Sequence, residues 1–305
     1  MARKIREFGD IEDHYEVLDH IGHGAQADLH LGRDLETGEW VAVKVQRERE
    51  FESTRTFASL ARTISREGRA YQRLISAGPC GTLRLFGAGD YRGHRCIVLE
   101  YVDGDLMWDV MNEDRPIREE QTVASIIGQL CETLHDMHDR GFVHRDVKPE
   151  NIMMEPDGRV RLLDLGLTVG VGKRAPRGCG TIGYAPPEQL APAPNGVSAR
   201  ADIFALGCLL LEMTVIALPY DGCREGMTCE HPIVLPPHKL DLLPPAFAKL
   251  ALSMVELAPE KRPGSVREVY DGLRHLLPRV GSRPPLKPLK AADPTEYYRT
   301  RSHRW

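Results

Sequence analysis

The chain has 305 residues, 42% of them hydrophobic and 28% charged, with a formal net charge of −4. That length suits two lobes or domains rather than one small core. The balance excludes a disordered chain and an integral membrane protein, and it offers no field that would make nucleic acid the main partner.

Residues 15–45 read as three strands: Tyr15 to Leu18 runs into a Gly-containing turn, Asp28 to Gly32 returns, and Trp40 to Val45 follows a second turn. Residues 48–75 contain no Pro and carry Phe57, Leu60, Ile64, Tyr71 and Leu74 at helical spacing, with Gly78-Pro79 beyond. Two strands near 82–90 and 94–101 share the turn Tyr91-Arg92-Gly93. After Asp103-Gly104 the chain is mostly helical. Val123, Ile126, Ile127, Leu130, Leu134 and Met137 make one helical stripe ending near Gly141. Residues 142–188 predict loops with small strands, and helices are expected at 200–218, 244–256 and 265–277. The run Ile203 to Leu218 is too short for a bilayer and contains Glu212. The first ten residues hold no apolar signal core, so the expected location is cytoplasmic. Residues 279–305 read as a mainly extended tail, with seven Arg or Lys against Asp293 and Glu296. A solvated tail, an acidic partner, a membrane surface and a fold-back onto the chain are all compatible with that charge.

Seven cysteines, an odd and scattered set, read as reduced thiols. Cys223, Cys229, His231 and His238 cluster in one Pro-rich stretch, but their spacing matches no standard zinc pattern, and a polar surface insertion is the plainer reading. Cys179 is either an oxidation sensor or an inert thiol.

The chemistry concentrates in His144-Arg145-Asp146-Val147-Lys148-Pro149-Glu150-Asn151, followed by Asp164 in Asp-Leu-Gly. Phosphoryl transfer needs a group that orients the attacking hydroxyl and accepts its proton, hard oxygen ligands for a divalent cation, and positive charge on the moving phosphoryl group. Asp146, then Asn151 with Asp164, and Lys148 supply these in turn.

The eight-residue string resembles the catalytic loop of eukaryotic-like (Hanks-type) serine/threonine protein kinases, in which a Lys two residues after the Asp typifies the Ser/Thr branch. Only nine of the 40 basic residues are Lys, an Arg-rich usage like that of bacteria with GC-rich genomes. The resemblance covers roughly residues 12–277 and implies an α+β bilobal kinase fold. A small antiparallel β lobe with one main helix occupies 12–102 and a larger helical lobe 103–277, with ATP between them. Residues 1–11 are an extension and 278–305 a basic Pro-rich tail.

Other strings fall in the family's order. Ile21-Gly22-His23-Gly24-Ala25-Gln26-Ala27-Asp28-Leu29 resembles the Gly-rich loop over the ATP phosphates, with Gly22 and Gly24 admitting close backbone approach. Ala27 replaces a third Gly, Gln26 the usual apolar tip and Leu29 the usual Val. A strand rather than a helix follows, which argues against a dinucleotide-binding turn. Lys44 in Val-Ala-Val-Lys matches the Lys on the α and β phosphates; by itself, a Lys on a strand is more often a solvated face or edge protection. Its implied acidic partner is Glu67; Glu48, Glu50 and Glu52 lie too near Lys44 in sequence. Ile97 to Gly104 resembles the hinge, which places Leu99 as gatekeeper and the backbones of Glu100 and Val102 on adenine. Ile21, Leu29, Ala42, Leu99 and Met153 would wall the adenine site.

Leu165 replaces the family's Phe in Asp-Phe-Gly. Gly180-Thr181 through Pro187-Glu188 resembles the segment that holds peptide substrates, with Glu188 pairing with Arg262 and Asp202 bracing the catalytic loop. Arg145 is of the kind that binds a phosphate on this segment, yet Val171 to Cys179 contains no hydroxyl and three cations, Lys173, Arg174 and Arg177. A partner, or constitutive activity, is therefore expected in place of phosphorylation there. The implied activity is ATP- and Mg²⁺- (or Mn²⁺-) dependent phosphorylation of protein Ser/Thr hydroxyls, in a chain of unknown oligomeric state with no expected nucleic-acid partner. A pseudokinase is the first alternative, opposed by the presence of Lys44, Asp146, Asn151 and Asp164. A small-molecule kinase of related fold is the second, opposed by Glu188 and Arg262.

Overall fold

The computed structural model describes residues 6–24, 27–47, 54–76, 81–172, 179–190, 196–222, 224–228 and 230–305. Ala25, Gln26, Glu48, Glu50, Glu52, Phe51, Cys80, Lys173, Arg174, Arg177, Cys223 and Cys229 lie outside the described residues. The chain divides into two compact units, residues 1–102 and 103–305.

The first unit is a six-stranded sheet with one helix. Its elements are β1 (Arg6–Asp10), β2 (Tyr15–His23), β3 (Ala27–Asp34), β4 (Trp40–Gln46), α1 (Thr54–Ser76), β5 (Leu85–Tyr91) and β6 (His94–Glu100). The strand order is β1-β5-β6-β4-β3-β2. All neighbours are antiparallel except β1 with β5, which is parallel. The expected sheet is thus extended by a strand drawn from residues read as an extension. Tight alternation decides the faces. Val41, Val43 and Val45 of β4 point to one side, where they bury with Ile11, Tyr15, Phe86, Cys96 and Val98. Ala42 and Lys44 point to the other. The β5–β6 hairpin turns at Arg92 and Gly93, both with positive φ, as a two-residue turn between right-twisted strands demands.

The second unit begins with β7 (Asp105–Leu106), α2 (Met107–Glu113), α3 (Glu120–Asp139) and β8 (Phe142–Val143). A 3₁₀ turn at Pro149–Asn151 leads into β9 (Ile152–Met154), then β10 (Val160–Leu162) and β11 (Val169–Gly170). Helices α4 (Pro187–Leu190), α5 (Arg200–Val215), α6 (Arg224–Thr228), α7 (Pro237–Leu240), α8 (Pro245–Met254), α9 (Val266–Leu273) and α10 (Thr295–Thr300) complete it. Helix α5 is buried along its whole length, Arg200 aside, which explains its near-uniform apolar sequence. Among the described residues no helix is long and apolar enough to cross a membrane.

The tail holds more structure than its composition suggests. Helix α10 packs on α3, and Tyr298 is fully buried. The Tyr297 and Tyr298 hydroxyls donate to the two carboxylate oxygens of Glu132, at 3.1 and 2.8 Å. Gln129 of α3 donates to the carbonyls of Gly158 and Pro294 while accepting from the Val160 amide. Trp305 stacks edge-on against Tyr270 and His135. Three aromatic anchors among Pro, Arg and Lys outweigh the polar average of the segment.

Candidate active site

In the first unit, helix α1 carries Glu67 to Lys44. The Lys44 ammonium lies 2.8 Å from one Glu67 carboxylate oxygen and 2.9 Å from the other, and Glu67 is 1% exposed. Gly68 explains the close approach: a side chain there would press on Ile97, the residue paired across from Lys44. The helical cost of a glycine, about 1 kcal/mol, is accepted for contact with the sheet. Leu29 pairs with Lys44, and Leu99 with Ala42, so the four share one sheet face. Ala42 and Leu99 are buried, Val102 is 8% exposed, and Ile21 is exposed. Gly22 pairs with Leu29, and the Gly24 amide donates to the Ala27 carbonyl at 2.8 Å. The Glu100 amide donates to the Arg84 carbonyl at 2.8 Å.

In the second unit, the loop after β8 is pinned from below by Asp202. Its carboxylate accepts from the amides of His144 and Arg145, at 2.9 and 2.7 Å, and meets His138 Nε2 at 2.8 Å. Burial alone pushes the Asp202 carboxyl up; the hydrogen bond and charge of His138, then His144 and the Arg145 amide, outweigh it and hold the group below the usual aspartate range. Arg145 takes a left-handed backbone conformation, φ 74°, as does Asp164 at 55°. Strain of this kind at two polar residues needs surroundings that enforce it, and it concentrates at functional sites.

Asp146 is the centre of the polar contacts. Its Oδ1 accepts from the Thr181 hydroxyl at 2.8 Å. Its Oδ2 lies 3.2 Å from Lys148 Nζ and accepts from Asn151 Nδ2 at 2.8 Å. Lys148 also donates to Thr181 Oγ1 at 2.7 Å. The second Asn151 amide hydrogen goes to the Asp146 carbonyl, so the Asn151 side-chain oxygen is turned away from Asp146. Leu163 ties the next strand in: its amide donates to the Asn151 carbonyl at 2.8 Å, and its own carbonyl meets His144 Nε2 at 3.0 Å. Asp164 follows directly, its Oδ1 accepting from the Gly166 amide. The Asn151 amide oxygen and the Asp164 carboxylate are both hard oxygen donors, of the kind a hard divalent cation takes and a soft one does not. Met153 sits on β9, partly exposed, paired with Leu106.

The segment around Thr181 is held independently. Glu188 receives both terminal nitrogens of Arg262, at 2.6 and 3.1 Å, and Arg262 also donates to the carbonyls of Glu256, Arg200 and Leu257. Three residues not singled out in the sequence complete the frame. Gln189 donates to the carbonyls of Arg145 and Cys179, joining the loop to the segment. A Cβ at Gly180, φ 133°, would strike that Gln189 amide. The Tyr184 hydroxyl donates to Glu212, which also pairs with Arg115 at 3.0 Å; burial with the neighbouring carboxylate pushes the Tyr184 phenol far up. His138 is the third. Of these, Tyr184 alone lies in a string marked by the sequence, Gly180 to Glu188, and its partner Glu212 is marked by its charge inside an apolar helix.

The family model described as protein kinase domain matches residues 15–273. Serine/threonine-protein kinase cds1 of Schizosaccharomyces pombe is 30% identical over 224 residues, 71% of this chain and 48% of the relative. Serine/threonine-protein kinase PknB of Mycobacterium leprae is 31% identical over 224 residues, 70% of this chain and 34% of the relative. PknB of Mycolicibacterium smegmatis is 30% identical over 313 residues, 94% of this chain and 48% of the relative. The chain thus spans between a third and a half of the length of these curated relatives.

Proposed function

We propose that this chain, which belongs to the protein kinase family, transfers the γ-phosphate of ATP to serine and threonine hydroxyls of proteins. The observation that carries the reading is the joint contact of Asp146, Lys148, Asn151 and Thr181. Asp146 holds a carboxylate, fixed from two sides, where an acceptor hydroxyl needs orientation and a place for its proton. As the hydroxyl oxygen bonds to phosphorus, the bond from phosphorus to ADP breaks and the proton passes to Asp146. Lys148 sets positive charge beside the same carboxylate. Lys44, held by Glu67, is the cation for the α and β phosphates. By the family resemblance, Ile21, Gly22, Gly24, Leu29, Ala42, Leu99, Glu100 and Val102 of the first unit are assigned to nucleotide binding, and so, in the second unit, is Met153. Family chemistry uses a divalent cation, which we take to be Mg²⁺, with Mn²⁺ as substitute; when bound by Asn151 and Asp164 it would neutralise phosphate charge.

Residues 12–102 and 103–277 are the two lobes. The free cysteines Cys96, Cys131, Cys179 and Cys208 support a reducing, cytoplasmic setting. A protein acceptor is favoured over a small molecule by the Glu188–Arg262 pair in the segment that carries Thr181. The lack of a hydroxyl between Val171 and Cys179 favours constitutive activity or a regulatory partner over phosphorylation there. The test is transfer of labelled phosphate from ATP to a generic basic protein. Asp146→Asn is expected to lower it by about 10²–10⁴-fold, the usual range for a positioned base. Equal transfer by the variant would remove Asp146 from the mechanism; no transfer by the wild type would favour a pseudokinase.

A further inference from the structure

The hairpin β2–β3 bears a histidine cluster that the kinase reading does not use. In a regular strand His20 and His23 would face opposite sides, since side chains alternate. The register between β2 and β3 shifts between His20 and Gly22, and this bulge turns the two histidines to one face. Their rings lie 3.9 Å apart between centroids. Directly across the hairpin, His20 pairs with His30 and His23 with Asp28, two residues that share a face of β3. His23 Nδ1 lies 2.9 Å, and His20 Nε2 3.9 Å, from the same oxygen of Asp28. One ligand atom from each of the three falls within 4.8 Å of the others. Zinc bonds of about 2.0–2.2 Å in a tetrahedron require ligand atoms roughly 3.3 Å apart, a value that the two measured separations bracket.

We propose that His20, His23 and Asp28 form a binding site for a borderline divalent transition metal, Zn²⁺ in the first instance, with water completing the tetrahedron. Two imidazoles and one carboxylate are the donor set for that class and not for Mg²⁺ or Ca²⁺. A cationic group already marks the position. Arg47 Nε donates to the same Asp28 oxygen at 3.1 Å, and an Arg47 terminal nitrogen is 2.9 Å from His23 Nδ1. The guanidinium bridges two of the three ligand atoms, so metal and Arg47 compete for one place. His20 and His23 are exposed, which gives an ion an entry path. His30, edge-on to His20 at 5.3 Å, flanks the site from β3.

Strand β2 carries Gly22, and Gly24 follows directly after it. Bound metal would staple β2 to β3 and stiffen the turn, a consequence that rests on the kinase reading, whereas metal binding itself does not. The experiment therefore reads binding without turnover. The full chain, with its thiols kept reduced, is titrated with Co²⁺ followed by visible absorption, and with Zn²⁺ against a chromogenic chelator. The expected result is one equivalent with a tetrahedral nitrogen–oxygen spectrum. His23→Ala and Asp28→Asn each weaken it at least tenfold, with unchanged circular dichroism. Arg47→Ala tightens it severalfold by removing the competitor. The proposal is overturned if both ligand variants bind within twofold of wild type. It is also overturned if the cobalt spectrum shows thiolate charge transfer that survives both substitutions, which would place the metal on cysteines.

Discussion

The Thr181 hydroxyl donates to Asp146 Oδ1 at 2.8 Å while accepting from Lys148 at 2.7 Å. One side chain thus fixes both Asp146 and Lys148. Removing it leaves Asp146 and Lys148 to pair with each other more closely. Hydrogen bonds to charged groups contribute about 1.5–3 kcal/mol, and each 1.36 kcal/mol is tenfold in rate. Thr181→Ala is expected to lower kcat by about 10–100-fold, with Thr181→Ser retaining most of it. Steady-state kinetics on a protein acceptor check this; wild-type kcat in the Ala variant would deny Thr181 the positioning role.

Arg262 is 3% exposed and its guanidinium is shared between Glu188 and three backbone carbonyls. Breaking a buried pair leaves an uncompensated charge, at a cost of about 3–5 kcal/mol. Arg262→Ala should show that loss in urea unfolding. Arg262→Lys should recover little, because a point charge cannot reproduce the planar fork. Replacing Glu188 and Arg262 together by apolar residues should cost less than the sum of the two single changes. Additive losses would mean that the pair is not coupled.

The candidate site residues could be named from the sequence because each lies in a short string whose chemistry is local: Lys44 on its strand, Asp146 to Asn151 in one loop, Asp164 before a glycine. The frame was less legible. Gln189 reaches the Arg145 carbonyl 44 positions away, and His138 meets Asp202 across 64. Neither residue differs in type from ordinary helix surface. Strand β1 pairs in parallel with β5, far along the chain, so no hairpin signal announces it. The histidine cluster of the Gly-rich hairpin was not legible, since the bulge that brings His20 to His23 is a register event that alternation cannot show.

Glu132 supplies a pH dependence with a defined sign. Burial raises its carboxyl above the ordinary 4.5; the hydrogen bonds from Tyr298 and Tyr297 and the charges of Arg304 and His303 offset this only in part. Between 4.5 and the raised folded value, the folded state keeps a proton that the unfolded state has lost. The resulting stabilisation is full below the unfolded value and is lost as pH rises through the folded one. At pH 7 the ionised group therefore costs stability. Glu132→Gln is expected to have a higher Tm than wild type near pH 7, the gap closing as pH falls toward 4.5. Thermal scans across this window check it; a gap that widens on acidification would reverse the sign.

Tyr298 decides whether the segment after Pro278 belongs to the folded unit. Its ring is fully buried, 6.3 Å from Tyr270 between centroids, and its hydroxyl lies on Glu132. It packs on Gly128, where a Cβ would meet the hydroxyl at 2.8 Å. Aromatic-to-alanine changes in a core cost about 3–5 kcal/mol. Tyr298→Ala should lose that amount in urea unfolding and should open amides of α3 and α9 to hydrogen exchange. Tyr298→Phe keeps the packing and loses only the hydroxyl, so it should cost less, about 1.5–3 kcal/mol, the range for a hydrogen bond to a charged group. A solvated tail would show neither effect. Helix α3 carries His138, which touches Asp202, and Asp202 holds the Arg145 amide. Loosening of α3 should therefore reach the loop that carries Asp146, and Tyr298→Ala should lower kcat at temperatures where the protein is still folded.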